Sequence, residues 1–105
     1  MKECKHVMNI KKIRDGEKLS VILSGRLDTT SSPSLEAELK QSVNGIKELV
    51  FDFSGVEYIS SAGLRVLLAA QKVMNRQGSM KLTGVSADVM EVFDITGFSD
   101  ILTIE

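Results

Sequence analysis

The sequence predicts a single α/β domain whose sheet is mostly parallel, with an antiparallel edge strand at its N-terminal end. Three observations predict it. Short apolar or β-branched runs alternate with segments of helical period, in the order ββαβαβαβ. The first two of these runs meet at Asp15-Gly16, a dipeptide suited to a tight hairpin because such turns require positive φ. The run Leu49-Val50-Phe51-Asp52-Phe53 is almost continuously apolar, as in a central strand buried on both faces. Strands that alternate with helices are joined by right-handed crossovers and therefore lie parallel. With 105 residues, the span 1–105 makes one domain with one core. That length excludes a barrel of eight βα units and a two-domain enzyme.

The elements follow in order. Val7 to Ile13 is rich in β-branched residues, and Leu19 to Leu23 reads as its return strand. Thr29 to Ser32 offers helix caps, and Pro33 suits the first helical position, where a missing N–H loses no bond. Leu35, Leu39 and Val43 then recur at helical spacing, with Glu36 and Glu38 early and Lys40 late, and Asn44-Gly45 ends the helix. After the central strand, Ser54-Gly55 reads as a turn, with Val56 and Ile59 tucked beneath it. Ser60-Ser61 caps a second helix that runs to about Gln77 and stops at Gly78. Met80 to Thr83 is a short strand. Ser86 caps a third helix carrying Val89, Val92 and Phe93, which Gly97 ends, and Ile101 to Ile104 closes the sheet.

Composition narrows the function. Lys and Arg total 13 against 14 Asp and Glu, a net charge of −1, where a nucleic-acid protein would carry a basic excess. There is no Trp and one Tyr, too few for a base-stacking platform. The lone Cys4 excludes an internal disulfide, and Cys4-Lys5-His6 is at most half a metal site; a free thiol is the simpler reading. The first residues lack the apolar stretch of a secretory signal, and the longest apolar run, Val66 to Ala70, is far short of a bilayer span. A cytoplasmic protein with no membrane insertion is expected.

Enzyme templates fail. Neither G-x-G-x-x-G nor a phosphate-binding G-x-x-x-x-G-K occurs. Ser61 lacks a G-x-S-x-G elbow, and the only His, His6, lies on the opening strand, so a hydrolase built on Ser61 has no base. Asp28 and Asp52 both fall near strand ends, where capping or solvated roles are the ordinary ones. The segment from Asp52 to Leu64, D-F-S-G-V-E-Y-I-S-S-A-G-L, is more informative. By position alone Ser61 is a helix cap. Gly63 does not fit a plain helix start, because Gly there costs about 1 kcal/mol against Ala. It implies that something approaches this backbone closely.

That segment resembles the signature of the STAS domain, as found in bacterial anti-sigma factor antagonists. The family pattern is a strand ending in Asp-Phe/Leu-Ser, a short loop, and a capped helix beginning Ser-x-Gly-Leu. Leu23-Ser24-Gly25-Arg26-Leu27-Asp28 resembles the family's L-x-G-E-L-D element. Gly84-Val85-Ser86 and Phe93-Asp94-Ile95-Thr96-Gly97-Phe98 resemble its C-terminal half. The resemblance implies a binding switch without a cofactor or metal and without enzymatic activity. The unmodified protein would bind an anti-sigma factor that is also a serine kinase of the GHKL ATPase type, freeing the sigma factor. Phosphorylation at Ser61 would end binding, and a serine phosphatase would reset it. Relative to well-known antagonists, Ser60 replaces an acidic residue, Ala62 replaces Ser or Thr, and Arg26 replaces Glu. Ser60 is therefore an alternative acceptor.

The resemblance and the helix face together nominate Asp28, Ser60, Ser61, Ala62, Gly63, Leu64, Arg65 and Leu68 as partner-binding residues. At about 100° per residue, Val66, Leu67, Ala70, Val73 and Met74 share a core stripe, while Arg65, Lys72 and Arg76 cluster elsewhere. Leu64 and Leu68 fall between the two. They read either as packed beneath a neighbouring loop or as an apolar patch rimmed by cations. The competing reading within the same family is a constitutive subunit of another complex, such as a lipid-transport ATPase assembly, with Ser61 an unmodified cap.

Overall fold

The computed structural model describes residues 9–105. Cys4, His6 and the Val7–Met8 start of the expected first strand lie outside the described residues. The elements are β1 (Asn9–Asp15), β2 (Lys18–Leu27), α1 (Ser32–Ser42), β3 (Glu48–Ile59), α2 (Ser61–Gln77), β4 (Ser79–Thr83) and α3 (Ala87–Thr96), then a 3₁₀ turn at Phe98–Asp100. One four-stranded sheet has the order β1-β2-β3-β4. β1 is antiparallel to β2, and β2, β3 and β4 are mutually parallel. The last element of the ββαβαβαβ order is a single parallel bridge, Leu82 to Ile104, which follows the 3₁₀ turn.

The hairpin closes one residue later than Asp15-Gly16 suggests. Asp15 pairs with Lys18, so Gly16 and Glu17 form the loop, and Gly16 supplies the positive φ of 63°.

Register aligns the core. Leu19, Leu49 and Met80 lie side by side across β2, β3 and β4, as do Val21, Phe51 and Leu82. All six are buried. The helices cover this face. Lys12 of β1 reaches Ser42 and Glu38 of α1, Phe93 of α3 packs on Phe53 with ring centroids 6.3 Å apart, and α2 contributes Leu67 and Met74. The opposite row, Ser20-Val50-Lys81 with Ile22-Asp52-Thr83, is half-buried. The central strand is thus buried on one face, not on both as its apolar run suggested. With all crossovers right-handed and the strands in sequential order, every helix falls on the same side.

β3 also runs further than expected. Ser54-Gly55 is not a turn. The strand continues to Ile59, paired with Ser24 to Leu27 of β2 through register irregularities after Ile22 and Gly25. Both strands therefore end together, with Leu27 opposite Ile59.

β3 is hydrogen-bonded on both sides over Glu48–Asp52. Its amides open only when the sheet does. Native-state hydrogen exchange should find the slowest amides within Leu49–Phe53, and rapid exchange there would contradict this topology.

Candidate functional site

The site is built where β2 and β3 end and α2 begins. Ser60 is the helix N-cap, with extended backbone at φ −103° and ψ 175°. Its N–H donates to the Leu27 carbonyl at 2.9 Å, its carbonyl accepts from Leu64 N–H at 3.0 Å, and its hydroxyl accepts from Gly63 N–H at 3.4 Å. Ser60 is therefore half-buried and engaged on three sides. Ser61, the first helical residue, is exposed. The cap that position alone assigned to Ser61 belongs to Ser60.

Gly63 is buried, and the reason is internal packing. A Cβ there would stand 2.7 Å from Leu27 Cγ and 2.9 Å from Ile59 Cγ1. The close approach inferred from the sequence is made by the strand ends of this same chain. Leu64 is also core, only 6% exposed, so it packs inward. Leu68 is half-buried, Ala62 is half-buried, and Arg65 is exposed. Of the expected core stripe, Val66, Leu67, Ala70 and Met74 are buried, but Val73 is 40% exposed. Gly63, Leu64 and Gln71 fill its place on the inner face.

Asp28 lies one residue past the end of β2 and organises the loop into α1. Its Oδ1 accepts from the N–H groups of Thr30 at 3.0 Å and Ser31 at 3.1 Å. The Ser31 hydroxyl accepts from Asp28 N–H at 2.9 Å and donates to the Arg26 carbonyl at 2.6 Å. This closed loop substitutes for a side-chain cap, which α1 lacks at Ser31. The Ser31 backbone N–H, with help from Thr30, the Ser31 hydroxyl and Arg26, lowers the Asp28 pKa from 3.8 against the opposing effect of desolvation. Asp28 is thus an anion at neutral pH whose Oδ1 serves its own backbone.

Arg26 stacks on Tyr58 at 4.3 Å and approaches Asp28 at 3.8 Å. Sequence reading passed over Tyr58, because a turn at Ser54-Gly55 hid its pairing with Arg26; in the extended β3 the two stand opposite each other. Two hollows flank this end of the molecule. Thr29, Pro33, Glu36, Ala62 and Arg65 line one, between α1 and α2. Glu57, Tyr58, Asp88 and Glu91 line the other, between β3 and α3. One hollow thus carries both a cation and a carboxylate, Arg65 and Glu36, and the other carries carboxylates alone. Among the described residues no cluster of His, Cys, Asp and Glu is arranged to hold a metal, and no helix is long and apolar enough to cross a membrane.

The model of the STAS domain family matches residues 9–105. The chain belongs to the STAS family. It is 40% identical over 88 residues to BtrV of Bordetella bronchiseptica, covering 82% of this chain and 76% of that protein. The anti-sigma-B factor antagonist of Listeria monocytogenes is 34% identical over 98 residues, which is 90% of this chain and 84% of the relative. Among solved structures, SpoIIAA is similar in both its unphosphorylated and phosphorylated forms. Each has a TM-score of 0.73 and 16% identity, over 92–93% of this STAS domain and 86–91% of SpoIIAA.

Two predictions concern the framework of this STAS site. Gly63→Ala gains helix propensity of about 1 kcal/mol, but it overpacks Leu27 and Ile59, which costs about 1–3 kcal/mol. Chemical denaturation should show a net loss, and a more stable variant would refute the packing argument. Asp28 gives stabilisation that is fully present above its unfolded value of 3.8 and lost as pH falls through its lower folded value. The stability gap between the parent and Asp28→Ala should be constant near neutrality and close below pH 3.8. A gap that widened in acid would contradict the assignment.

Proposed function

We propose that this protein is an anti-sigma factor antagonist whose binding is switched by phosphorylation at Ser61. In the unphosphorylated form it binds an anti-sigma factor of the GHKL serine-kinase type through the start of α2 and so frees a sigma factor. The kinase activity of that partner phosphorylates Ser61 and ends the contact, and a serine phosphatase restores it. The protein acts by binding, and the covalent chemistry is done by its partners.

One observation carries this reading. An exposed serine occupies the first position of α2, within the family signature, while the preceding serine already holds the cap. The curated relatives named as antagonists, and a structural relative solved with and without phosphate, support it.

The energetics favour release without unfolding. A phosphate adds about −1.5 to −2 charges. At a helix N-terminus it meets unpaired N–H groups and the positive end of the dipole, worth about 0.3–1 kcal/mol to the domain. In a protein interface the same anion must be desolvated, at several kcal/mol when no cation pairs with it. The second effect is larger. A net loss of about 3 kcal/mol weakens binding about a hundredfold.

The test combines the protein with the GHKL-type anti-sigma factor of its host and ATP, followed by phosphopeptide mapping. Phosphate is expected on Ser61 and absent from Ser61→Ala. Ser60→Ala should lose about 1 kcal/mol of stability through its cap and still be modified. Ser61→Asp should melt like the parent and bind about a hundredfold more weakly. Parent-like affinity of Ser61→Asp would overturn the switch. So would phosphate on Ser60, or a stable complex that ATP leaves unmodified; the last would mark a constitutive subunit of another assembly.

A further inference from the structure

Ser61 marks one end of α2, and the rest of the exposed helix has no role in that reading. Arg65, Lys72 and Arg76 lie at spacings of 7 and 11 residues, which brings them onto one line along the helix. All three are exposed. Among the described residues, none has a carboxylate within the 4.0 Å of an ion pair, whereas Lys40 on the facing helix is paired with Glu36 at 3.9 Å.

Beside this line runs a furrow between α1 and α2. Leu39, Val43, Val66, Ala70 and Val73 floor it. It meets the hollow at Ala62 and Arg65 through their shared walls, Glu36 and Val66. The furrow therefore begins beside Ser61 and follows α2 to Val73. The eleven residue steps from Ala62 to Val73 rise about 16 Å, or three helical turns. The exposure of Val73, which periodicity had assigned to the core, is a consequence of this gap: α1 does not reach across it.

We propose that the furrow is a docking groove for an acidic amphipathic helix of the anti-sigma partner, a reading that rests on the function proposed above. The apolar side of the helix, at i, i+3 or i+4 and i+7, fills the floor, and its carboxylates face Arg65, Lys72 and Arg76. Charge complementarity selects this occupant. A second copy of the chain would set furrow against furrow and cations against like cations, since a two-fold contact joins the same patch to itself. The groove supplies affinity along α2, and Ser61 at its mouth supplies the switch.

Binding to the same anti-sigma factor separates the two proposals. Val73→Asp places a carboxylate in the groove at an already exposed position, and Lys72→Glu/Arg76→Glu reverses its rim. Val73→Asp is expected to weaken binding at least tenfold. The rim variant should weaken it about tenfold in dilute salt and much less at about 0.5 M, where surface charges are screened. Both variants should melt within a few degrees of the parent. A photo-crosslinker at Ala69, on the groove wall, should capture an Asp- and Glu-bearing helix of the partner. If both variants bind within twofold of the parent while Ser61→Asp has lost binding, the groove is not used, and the inference fails with the function intact. If the parent itself does not bind the anti-sigma factor, the underlying reading fails. Sedimentation that shows a dimer of the parent abolished by Val73→Asp would assign the furrow to a second copy and overturn the proposal.

Discussion

The functional end of this STAS domain depends on how closely the first turn of α2 is seated on the ends of β2 and β3. Because Gly63 has no Cβ, the helix backbone comes down onto Leu27 and Ile59, and no other residue would fit without displacing them. The Ser60 N–H bond to the Leu27 carbonyl ties the same two elements by backbone. Asp28 follows Leu27 directly and closes the next loop onto Arg26 and Ser31. Strand ends, helix start and the entry to α1 thus form one interlocked unit. A charge added at Ser61 would fall on a closely packed platform, so its effect would be directed outward.

How much of this was legible depended on whether the deciding interaction was local. Caps and turns are local, and Ser86, Gly97 and the hairpin glycine stand where chain chemistry placed them. Ser54-Gly55 misled because the same dipeptide serves a turn or an irregular strand, and the choice is made by Ser24 of β2, against which Gly55 packs closely. Nothing near Gly55 in the chain announces Ser24. Ser60 and Ser61 are equally good caps by type, and only backbone dihedrals separate them. Val73, expected in the core, is exposed, and Leu64, left open between core and patch, is buried, for one reason. Periodicity gives the width of an apolar stripe but not the direction from which neighbours cover it, and here cover comes from the sheet side while α1 leaves a gap. The need for close approach at Gly63 was legible as a cost without a benefit; that its partners lie within the chain was not.

The local field around α2 is more uneven than the net charge of −1 suggests. Arg65 lines the hollow on one side of the helix start together with Glu36, which is paired with Lys40, while Glu57, Asp88 and Glu91 line the hollow on the other. A partner that meets this surface faces a mixed flank and an acidic one, which favours one orientation over others. The same asymmetry limits what a phosphate can do here. The acidic flank would repel it, so the added charge would disturb the complementarity of the surface more than the stability of the domain.

Under the proposed switch, the two adjacent serines would divide tasks that one hydroxyl would perform badly together. The Ser60 hydroxyl accepts the Gly63 N–H, the bond that holds the first turn at the closest packing point. If that oxygen were the one modified, each cycle of phosphorylation would rearrange the cap on which the seating of α2 depends. With Ser61 as the proposed acceptor, the cap bond, the Leu27 carbonyl bond and the Gly63 contact would remain in place in either state. The helix end would then be the same structure before and after the charge is added. This is what release without unfolding requires, and it follows from the cap falling on Ser60 rather than Ser61.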